Sequence, residues 1–280
     1  MNEVFTIGDF CFRLICPDAL SAPENFTKFL GGERPEYTYT IELTSDFPEP
    51  QGRLLARRPD FLVMENRYGE MRYIGVKGVP QPYACYMEMG RDFATVYLDP
   101  GRIRSMNIDP MFTSLFALER RQLDRNAMVL HCAFMVHEGK AILFSAPSET
   151  GKTTQAKLWE KYRRTRVVNG DRALLQRIGD VWYARGWPVC GSSEVCHKED
   201  VPVKAIVMLS QAPEDRAERM HPMKAFTQVY SQITVNRWNK AANLQVMELL
   251  EQLIAEVPVY HLACTMEETA VIALENAMNA

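Results

Sequence analysis

The amino-acid sequence predicts an α/β protein in which a β-rich N-terminal domain precedes a mixed sheet flanked by helices. Short aromatic and β-branched segments, separated by Gly and Pro, fill the first hundred residues and indicate strands. Helical spacing of apolar residues begins only at Asp109. An apolar run, a turn of small residues and a helix then follow one another over residues 141–162. We therefore predict domains over residues 1–105 and 106–280.

The predicted N-terminal strands come in close succession. Their short spacing favours a meander or an open barrel over alternating strand–helix–strand units. The segments are FCFRLIC (10–16), TYTIEL (38–43), FLVMEN (61–66), MRYIGV (71–76), YACYMEM (83–89) and FATVYL (93–98).

Charge and cysteine content limit the classes of function. The net charge is -3 and the pI is about 6.0, so no positive field recruits nucleic acid or an anionic membrane. Seven cysteines, an odd number in a long chain, do not form a disulfide framework. Charged residues at 3, 9, 13 and 18 interrupt the first apolar stretch, which argues against a signal peptide or a membrane span. We expect a cytoplasmic protein that binds small molecules or proteins, and neither nucleic acid nor membranes.

The C-terminal half alternates helices and strands, which indicates a buried mixed sheet. We predict a connecting helix with Asp109 as its N-cap and Pro110 at its first position. The later predicted elements are strands at 127–136 and 140–146, a helix to about Tyr162, a strand at 165–171, a hairpin around Gly179-Asp180, a strand at 203–209, and two helices, a strand and a helix in the last seventy residues.

The strand-to-helix junction at 146–153 resembles the G-x-x-x-x-G-K-[ST] phosphate-binding pattern, except that Ala146 replaces the first glycine. In such a loop the backbone N–H groups and the N-terminal end of the following helix bind phosphates, the lysine reaches the β- and γ-phosphates, and the hydroxyl ligates Mg²⁺. Alanine suits the first position if its φ is negative. The alternative is an ordinary turn. The predicted ATP-binding residues are Ser148, Glu149, Thr150, Gly151, Lys152, Thr153 and Thr154.

Two carboxylates accompany this loop. Asp171 ends an apolar strand about twenty residues after Lys152, the place of a Walker-B-type residue that holds Mg²⁺. Its other interpretation is a turn residue that opens the hairpin. Glu149 lies inside the loop, where a carboxylate repels phosphate, so it points to solvent or acts on the acceptor substrate as a base.

The order LHCAFMVHEGKAILFSAPSETGKTTQAKLW, RVVNGD and WYARGWPVCGSS resembles the catalytic domain of HPr kinase/phosphorylase, in the phosphoenolpyruvate-carboxykinase-like P-loop group. The resemblance covers about residues 128–195 well and the rest of the C-terminal half loosely, whereas residues 1–105 do not resemble that family's N-terminal domain. It implies ATP binding by Lys152 and its loop, Mg²⁺ binding by Thr153 and Asp171, and a nearby His131. Arg185 and Gly186 match the family's Arg-Gly element.

Two positions depart from the family pattern. Gly170 stands where the first residue of an Asp-Asp pair, the base for a serine hydroxyl, is found. Tyr183 stands where a glutamate precedes the Arg-Gly element. The proton acceptor would then be His131 or Glu149, although His131 on its apolar strand is also interpretable as a core histidine.

The predicted function is an ATP- and Mg²⁺-dependent kinase that transfers the γ-phosphoryl group to a hydroxyl, most simply serine, of a protein, peptide or small molecule. The β-rich domain would present this acceptor. A non-catalytic nucleotide-binding regulatory module is the alternative, and a phosphoenolpyruvate carboxykinase is the least favoured hypothesis. The resemblance also makes a homo-oligomer an open hypothesis, because HPr kinase forms a homohexamer.

Two further groups of residues are weaker candidates. Cys190, Cys196 and His197 have metal-ligand chemistry but lack a second cysteine pair, so a loop beside the nucleotide is preferred to a zinc site. Arg237 and Trp238 could contact adenine or substrate, or simply join two helices.

Overall fold

The computed structural model describes residues 1–280 apart from the side chain of Ser192. The chain forms an N-terminal unit, Met1–Arg121, and a C-terminal unit, Gln122–Ala280. The N-terminal unit extends past the predicted boundary at 105/106 because aromatic rings beyond that point belong to its core. Phe112 contacts Phe26 with ring centroids 4.9 Å apart, and Phe116 contacts Tyr39 at 5.1 Å.

The N-terminal unit is built on one eight-stranded mixed sheet in the order β1-β2-β3-β8-β7-β6-β5-β4. Strands β4 to β8 form an antiparallel meander, whereas β3 pairs in parallel with both β2 and β8. A meander was one of the two arrangements predicted from the sequence, the other being an open barrel, and the parallel pairs were not predicted. The elements up to residue 123 are β1 Asn2–Ile7, β2 Phe10–Ile15, α1 Glu24–Thr27, β3 Tyr37–Leu43, β4 Arg53–Arg58, β5 Phe61–Asn66, β6 Gly69–Ile74, β7 Ala84–Glu88, β8 Phe93–Leu98, α2 Asp109–Thr113 and α3 Leu118–Leu123.

The helix predicted from Asp109 is interrupted. Asp109 is the first helical residue of α2, and Ile108 is the N-cap, so the N-cap prediction is wrong by one position. A 3₁₀ turn, Ser114–Phe116, follows, and Ala117 then adopts a left-handed backbone with φ 49° before α3 begins. Because a left-handed residue cannot continue a right-handed helix, two short helices replace one.

A buried ionic network crosses the N-terminal sheet. Arg72 binds Glu70 at 2.6 Å and Glu119 at 2.7 Å, and Arg121 binds Glu88 at 2.7 Å. Glu88 also accepts hydrogen bonds from the Glu70 N–H and the Tyr86 hydroxyl. Each buried charge therefore has an opposite partner, the condition under which burial is tolerated.

Replacing Glu88 with alanine is expected to lower the free energy of unfolding by about 3–5 kcal/mol, because it leaves buried Arg121 without its carboxylate. Urea unfolding at neutral pH measures this loss. The matched control is Glu65→Ala, which removes an exposed partner of Arg53 and should cost less than about 1 kcal/mol. Equal losses in the two variants would contradict the role assigned to the network.

The C-terminal unit contains a second eight-stranded mixed sheet, with strand order β10-β9-β12-β13-β14-β16-β15 and β11 paired to β9. Because β10 also pairs with β14, strands β9, β12, β13, β14 and β10 form a closed circuit. The elements are β9 Ala127–His137, β10 Lys140–Ser145, α4 Lys152–Arg163, β11 Arg166–Asn169, β12 Arg172–Ile178, β13 Val181–Arg185, β14 Asp200–Gln211, β15 Arg216–Arg219, α5 Pro222–Gln232, α6 Lys240–Glu256, β16 Val259–Cys264 and α7 Glu268–Asn279.

Helices cover both faces of this sheet, as two neighbouring side chains of β10 show. Leu143 belongs to a core that includes Leu250 of α6, whereas Phe144 belongs to a core with Trp159 of α4. Successive residues of a strand point to opposite faces, so a continuous apolar run is buried on both sides. This confirms the predicted mixed α/β sheet flanked by helices. Within the residues that the structure describes, no helix has the length and apolar character needed to cross a membrane.

Candidate functional site

Loop 146–151 connects β10 to α4 and contains two residues with a left-handed backbone. Glu149 has φ 64° and Gly151 has φ 111°, both in the left-handed region. A glutamate is uncommon there, whereas glycine is readily accommodated. Alternation of left- and right-handed residues turns successive N–H groups toward a common side. The loop leads directly into the N-terminus of α4, a helix of 12 residues.

The predicted threonines and serine lie on this loop and on the first turn of α4. Thr150 donates from its hydroxyl to the Pro147 carbonyl at 2.9 Å. Ser148 is exposed, while Thr153 and Thr154 are partly exposed in the first helical turn. All of these hydroxyls are near the helix N-terminus, where backbone N–H groups have no partner within the helix.

Lys152 is the first residue of α4, and its side chain turns back under the loop. Its Nζ donates to the carbonyl oxygens of Ala146 at 3.0 Å and Pro147 at 3.2 Å, and the residue is only 8% exposed. Burial lowers the pKa of Lys152, and the nearby negative charge of Asp171 opposes this effect. The ammonium group therefore contacts the loop carbonyls and also feels the charge of Asp171.

Strand β9 places Asp171 near the loop. The Cys132 N–H of β9 donates to the Asp171 carbonyl at 2.9 Å, and Cys132 pairs on its other side with Ser145, the last residue of β10. Asp171 and the end of β10 therefore flank the same position of β9. Two strand spacings separate their backbones, about 10 Å.

The Asp171 carboxylate has a donor on each oxygen. Its Oδ1 lies 3.3 Å from His131 Nε2, and its Oδ2 accepts from Arg172 Nε at 3.0 Å. Burial alone would raise the pKa of Asp171, but the His131 hydrogen bond and the Arg172 charge together hold it below its usual value. Asp171 is consequently ionised at neutral pH. His131 is partly exposed and bonded to a carboxylate, so it is not a core histidine.

Sequence analysis missed Asn169 and Arg172. The buried Asn169 accepts from the Asp171 and Arg172 N–H groups, both at 2.9 Å, through its Oδ1. It also donates through Nδ2 to the carbonyls of Trp187 and Val189. An Asn side chain that bonds the backbone two residues further on is a common turn arrangement, and it could have pointed to Asn169. Its two bonds to the Trp187 and Val189 carbonyls, by contrast, depend on a distant segment.

Gly170 is tightly enclosed. A Cβ added at this position would lie 2.0 Å from the Ser193 Oγ, and Ser193 is held by its hydrogen bond to the Cys190 carbonyl at 2.7 Å. The aspartate of the resembling family could not occupy position 170 unless Ser193 moved. This explains why Asp171 stands without a neighbouring carboxylate.

Arg185 has its own partners on neighbouring strands. Its Nη1 donates to Gln176 Oε1 at 2.6 Å, and its Nη2 lies 2.9 Å from Asp200 Oδ2. Gly186 is required in the next position because a Cβ there would lie 2.5 Å from the His197 carbonyl oxygen. Lys152 and His131 thus both interact with Asp171. Arg185 on β13 instead contacts Gln176 on β12 and Asp200 on β14.

Cys190 and Cys196 are buried, and the Cys196 Sγ donates to the Trp187 carbonyl at 3.2 Å. Over the described part of the chain, no group of three or more His, Cys, Asp or Glu side chains is arranged to hold a metal ion. Segment 234–239 begins beside β9, since the Thr234 N–H donates to the Val129 carbonyl and the Thr234 hydroxyl accepts from Arg172.

The comparisons assign the chain to a family. A family model described as "SynChlorMet cassette protein ScmC" matches residues 97–278, well over half of the chain. The chain therefore belongs to the ScmC family, whose description states no activity. Among curated proteins, none matches the chain.

One solved structure similar to this chain is the Hpr(Ser) kinase/phosphatase from Coxiella burnetii. The identity is 11%, and the match covers 54% of this chain and 88% of that chain with a TM-score of 0.32. A similarity this distant does not identify the site, whose chemistry depends on its own residues.

Asp171→Asn is expected to lower the free energy of unfolding most at neutral pH. Because the folded-state pKa of Asp171 is depressed, its stabilising effect is complete above the unfolded pKa, about 3.9, and is lost as pH falls through the folded value. The difference between wild type and Asp171→Asn should therefore shrink below about pH 4. Urea unfolding across pH measures it. Asp180→Asn, at a fully exposed carboxylate, is the control, and a difference independent of pH would refute the prediction.

Gly170→Ala is expected to cost about 1–3 kcal/mol of stability, as overpacking does. Ser193→Gly removes the colliding side chain, so the double variant should recover most of that loss. A double-mutant cycle by urea unfolding measures the coupling. Additive losses would show that Ser193 does not confine position 170.

Proposed function

We propose that the C-terminal unit is a kinase that binds ATP with Mg²⁺ at loop 146–151 and transfers the γ-phosphoryl group to a hydroxyl. Serine in a peptide, a protein or a small molecule is the simplest acceptor. The observation that carries this proposal is that Lys152, held against the carbonyls of a loop with two left-handed residues, feels the charge of Asp171, which flanks β9 opposite the end of β10. The proposal extends the P-loop interpretation of the sequence.

The loop and α4 supply the phosphate contacts. Backbone N–H groups around Gly151 and the positive end of the α4 dipole attract anionic oxygens. Lys152 would exchange the carbonyls of Ala146 and Pro147 for phosphate oxygens, to which an ammonium makes stronger charge-assisted hydrogen bonds. The first-turn threonines add hydroxyl donors at the same end of the helix.

The donor set also fits Mg²⁺. Thr153 offers a hydroxyl and Asp171 an ionised carboxylate, and a nucleotide-bound Mg²⁺ needs only one or two protein ligands because phosphates and water complete its coordination. Bound there, Mg²⁺ would neutralise charge on the transferred group. Asp171 would have to release one of its present partners, His131 or Arg172.

His131 is the proposed proton acceptor. Position 170 cannot hold the usual aspartate, and Glu149 is exposed on the loop. If Asp171 Oδ1 turned toward the metal, the ring proton of neutral His131 would be free to move from Nε2 to Nδ1, and Nε2 could then accept the proton of the acceptor hydroxyl. Arg172 would keep the other oxygen of Asp171 in place.

A regulatory nucleotide-binding module is the second candidate. It is favoured by the exclusion of a second carboxylate at position 170 and by the two partners that already hold Asp171. In such a module, ATP would bind through Lys152 without turnover and would change how the protein binds a partner.

Saturating Mg²⁺-ATP is expected to raise the thermal midpoint of wild type and not that of Lys152→Ala. At about 100-fold over Kd the stabilisation is about 2.7 kcal/mol, which at about 2–4 °C per kcal/mol for a domain of this size is a shift of about 5–11 °C. Differential scanning fluorimetry measures it. The control is Lys157→Ala, at an exposed lysine of the same helix, which should keep the shift.

Formation of ADP separates the two candidates. Lys152-dependent release of ADP, accelerated by an acceptor hydroxyl, supports the kinase, whereas a thermal shift without turnover supports the module. Absence of any shift in wild type at millimolar ATP, or an equal shift in Lys152→Ala, would reject both.

A further inference from the structure

The chain covers one edge of the N-terminal sheet and leaves the other edge open. Beside β1, the Thr6 N–H donates to the Phe29 carbonyl and the Gly31 N–H donates to the Val4 carbonyl, both at 2.9 Å. At the opposite edge, β4 pairs only with β5, and no other backbone segment of the described residues bonds to it. The outer N–H and C=O groups of β4 therefore offer a template on which a further strand can pair.

The open edge is basic. Strand β4 has the sequence RLLARR, and the side chains of Arg53, Arg57 and Arg58 are exposed. Arg53 is paired with Glu65, whereas none of the ion pairs in the described part of the chain involves Arg57 or Arg58. Two guanidinium groups are therefore available to carboxylates of an added strand.

The same charges disfavour a second copy of this chain as the added strand. Antiparallel pairing of two β4 strands about a twofold axis at their centre would place Arg53 opposite Arg58 at each end. Like charges directly opposite one another destabilise strand pairing, and basic side chains on an edge are a common protection against self-association. A strand with carboxylates at those positions would gain opposite-charge pairs instead. The charge pattern therefore selects an acidic partner.

A cleft adjoins the C-terminal end of β4. Its volume is about 420 Å³, and the rings of Phe47, Phe61 and Tyr73 line it. A volume of this order suits a small ligand or a large side chain. Pro48 and Pro80 also line the cleft and restrict its backbone, and the Tyr73 hydroxyl donates to the Pro48 carbonyl. The cleft is therefore formed before a partner binds, which lowers the entropic cost of binding.

The cleft favours an uncharged side chain. Arg58 borders it, but Glu49 and Asp60 do so too, and their carboxylates offset the guanidinium charge. The Arg58 guanidinium lies over the Phe61 ring, 5.1 Å from its centroid. An aromatic side chain in this cleft would gain apolar burial and ring contacts. A segment that follows β4 would thus place acidic residues beside the arginines and an aromatic residue at the end of the strand.

We propose that the open edge of β4 binds an extended acidic peptide segment as an additional strand, with an aromatic side chain of that segment in the adjoining cleft. Backbone hydrogen bonds supply the affinity, and the arginines and the cleft supply the selectivity. The six residues of β4 span about 20 Å. The site belongs to the N-terminal unit alone, so the inference does not depend on the proposed ATP site.

The test uses the full chain and a capped, fluorescently labelled peptide that alternates Glu with Val and has Phe at both ends. This peptide has no side-chain hydroxyl, so phosphate transfer cannot contribute to the signal. We expect saturable binding by fluorescence anisotropy, and we expect it to weaken as salt rises because exposed charges are screened.

Three altered peptides test the three parts of the proposal. Lys in place of Glu should weaken binding at least about tenfold, because like charges then meet. Gly in place of both Phe residues should weaken it about tenfold, because the cleft stays empty. Pro at alternate positions removes the N–H groups needed for strand pairing and should abolish saturable binding.

A charge reversal on the protein locates the site. Arg57→Glu should weaken binding of the Glu peptide about fivefold or more and strengthen binding of the Lys peptide, which also shows that the variant is folded. Arg34→Glu, at an exposed arginine on the loop before β3, changes the net charge equally and should alter neither. Bound peptide should slow hydrogen exchange of β4 amides and leave that of β1 unchanged.

The inference would be overturned by equal binding of the Glu and Lys peptides, by binding that survives the proline substitutions, by protection away from β4, or by no saturable binding at millimolar peptide. Self-association of the unliganded chain with protection of β4 would assign the edge to a second copy and would also overturn it. Loss of the Mg²⁺-ATP thermal shift in wild type rejects the proposed function and leaves this inference standing.

Discussion

The candidate site depends on the buried amide of Asn169. Its oxygen accepts two backbone N–H groups and its nitrogen donates to two carbonyls, which uses the hydrogen-bonding capacity of the side chain. These bonds fix the junction between β11 and β12 and tie it to the Trp187–Val189 segment. The Asp171 side chain extends from this junction to His131 and Arg172. Without the amide, two partly buried N–H groups would lose their bond to Asn169, and the junction that orients the carboxylate would be weakened.

Close packing around the same junction accounts for the departure from the resembling family. Ser193 fills the space beside Gly170, and a Cβ at Gly191 would lie 3.0 Å from the Asp171 Cβ. The segment around residues 190–193 therefore approaches the junction so closely that both glycines are needed. One consequence is that a single carboxylate must serve any metal. In the proposed kinase the base would then come from elsewhere, and His131, bonded to the same carboxylate, is the proposed residue.

Local signals made much of the C-terminal fold predictable. Strands β9 and β10 and helix α4 follow from apolar runs, and the tight turn between the strands follows from Glu138 and Gly139, both with positive φ. Long-range contacts were not predictable: the break at Ala117 gives no strong local signal, and the unit boundary depends on how distant aromatic rings pack. Lys152 and Asp171 were predicted from motif spacing and His131 from the resemblance to HPr kinase, whereas Asn169 acts partly through carbonyls eighteen and twenty residues away.

If the site binds a nucleotide as proposed, the charges around it favour an accompanying Mg²⁺. Lys152 is positive and Asp171 negative, so their charges offset one another, and Arg172 already balances the second oxygen of Asp171. Little positive charge remains to meet a triphosphate beyond the N–H groups of loop 146–151 and α4. A divalent cation would supply that charge, and Asp171 would hold it with the oxygen that now bonds His131. Metal binding and activation of the base would then be a single event, since both need the same carboxylate oxygen.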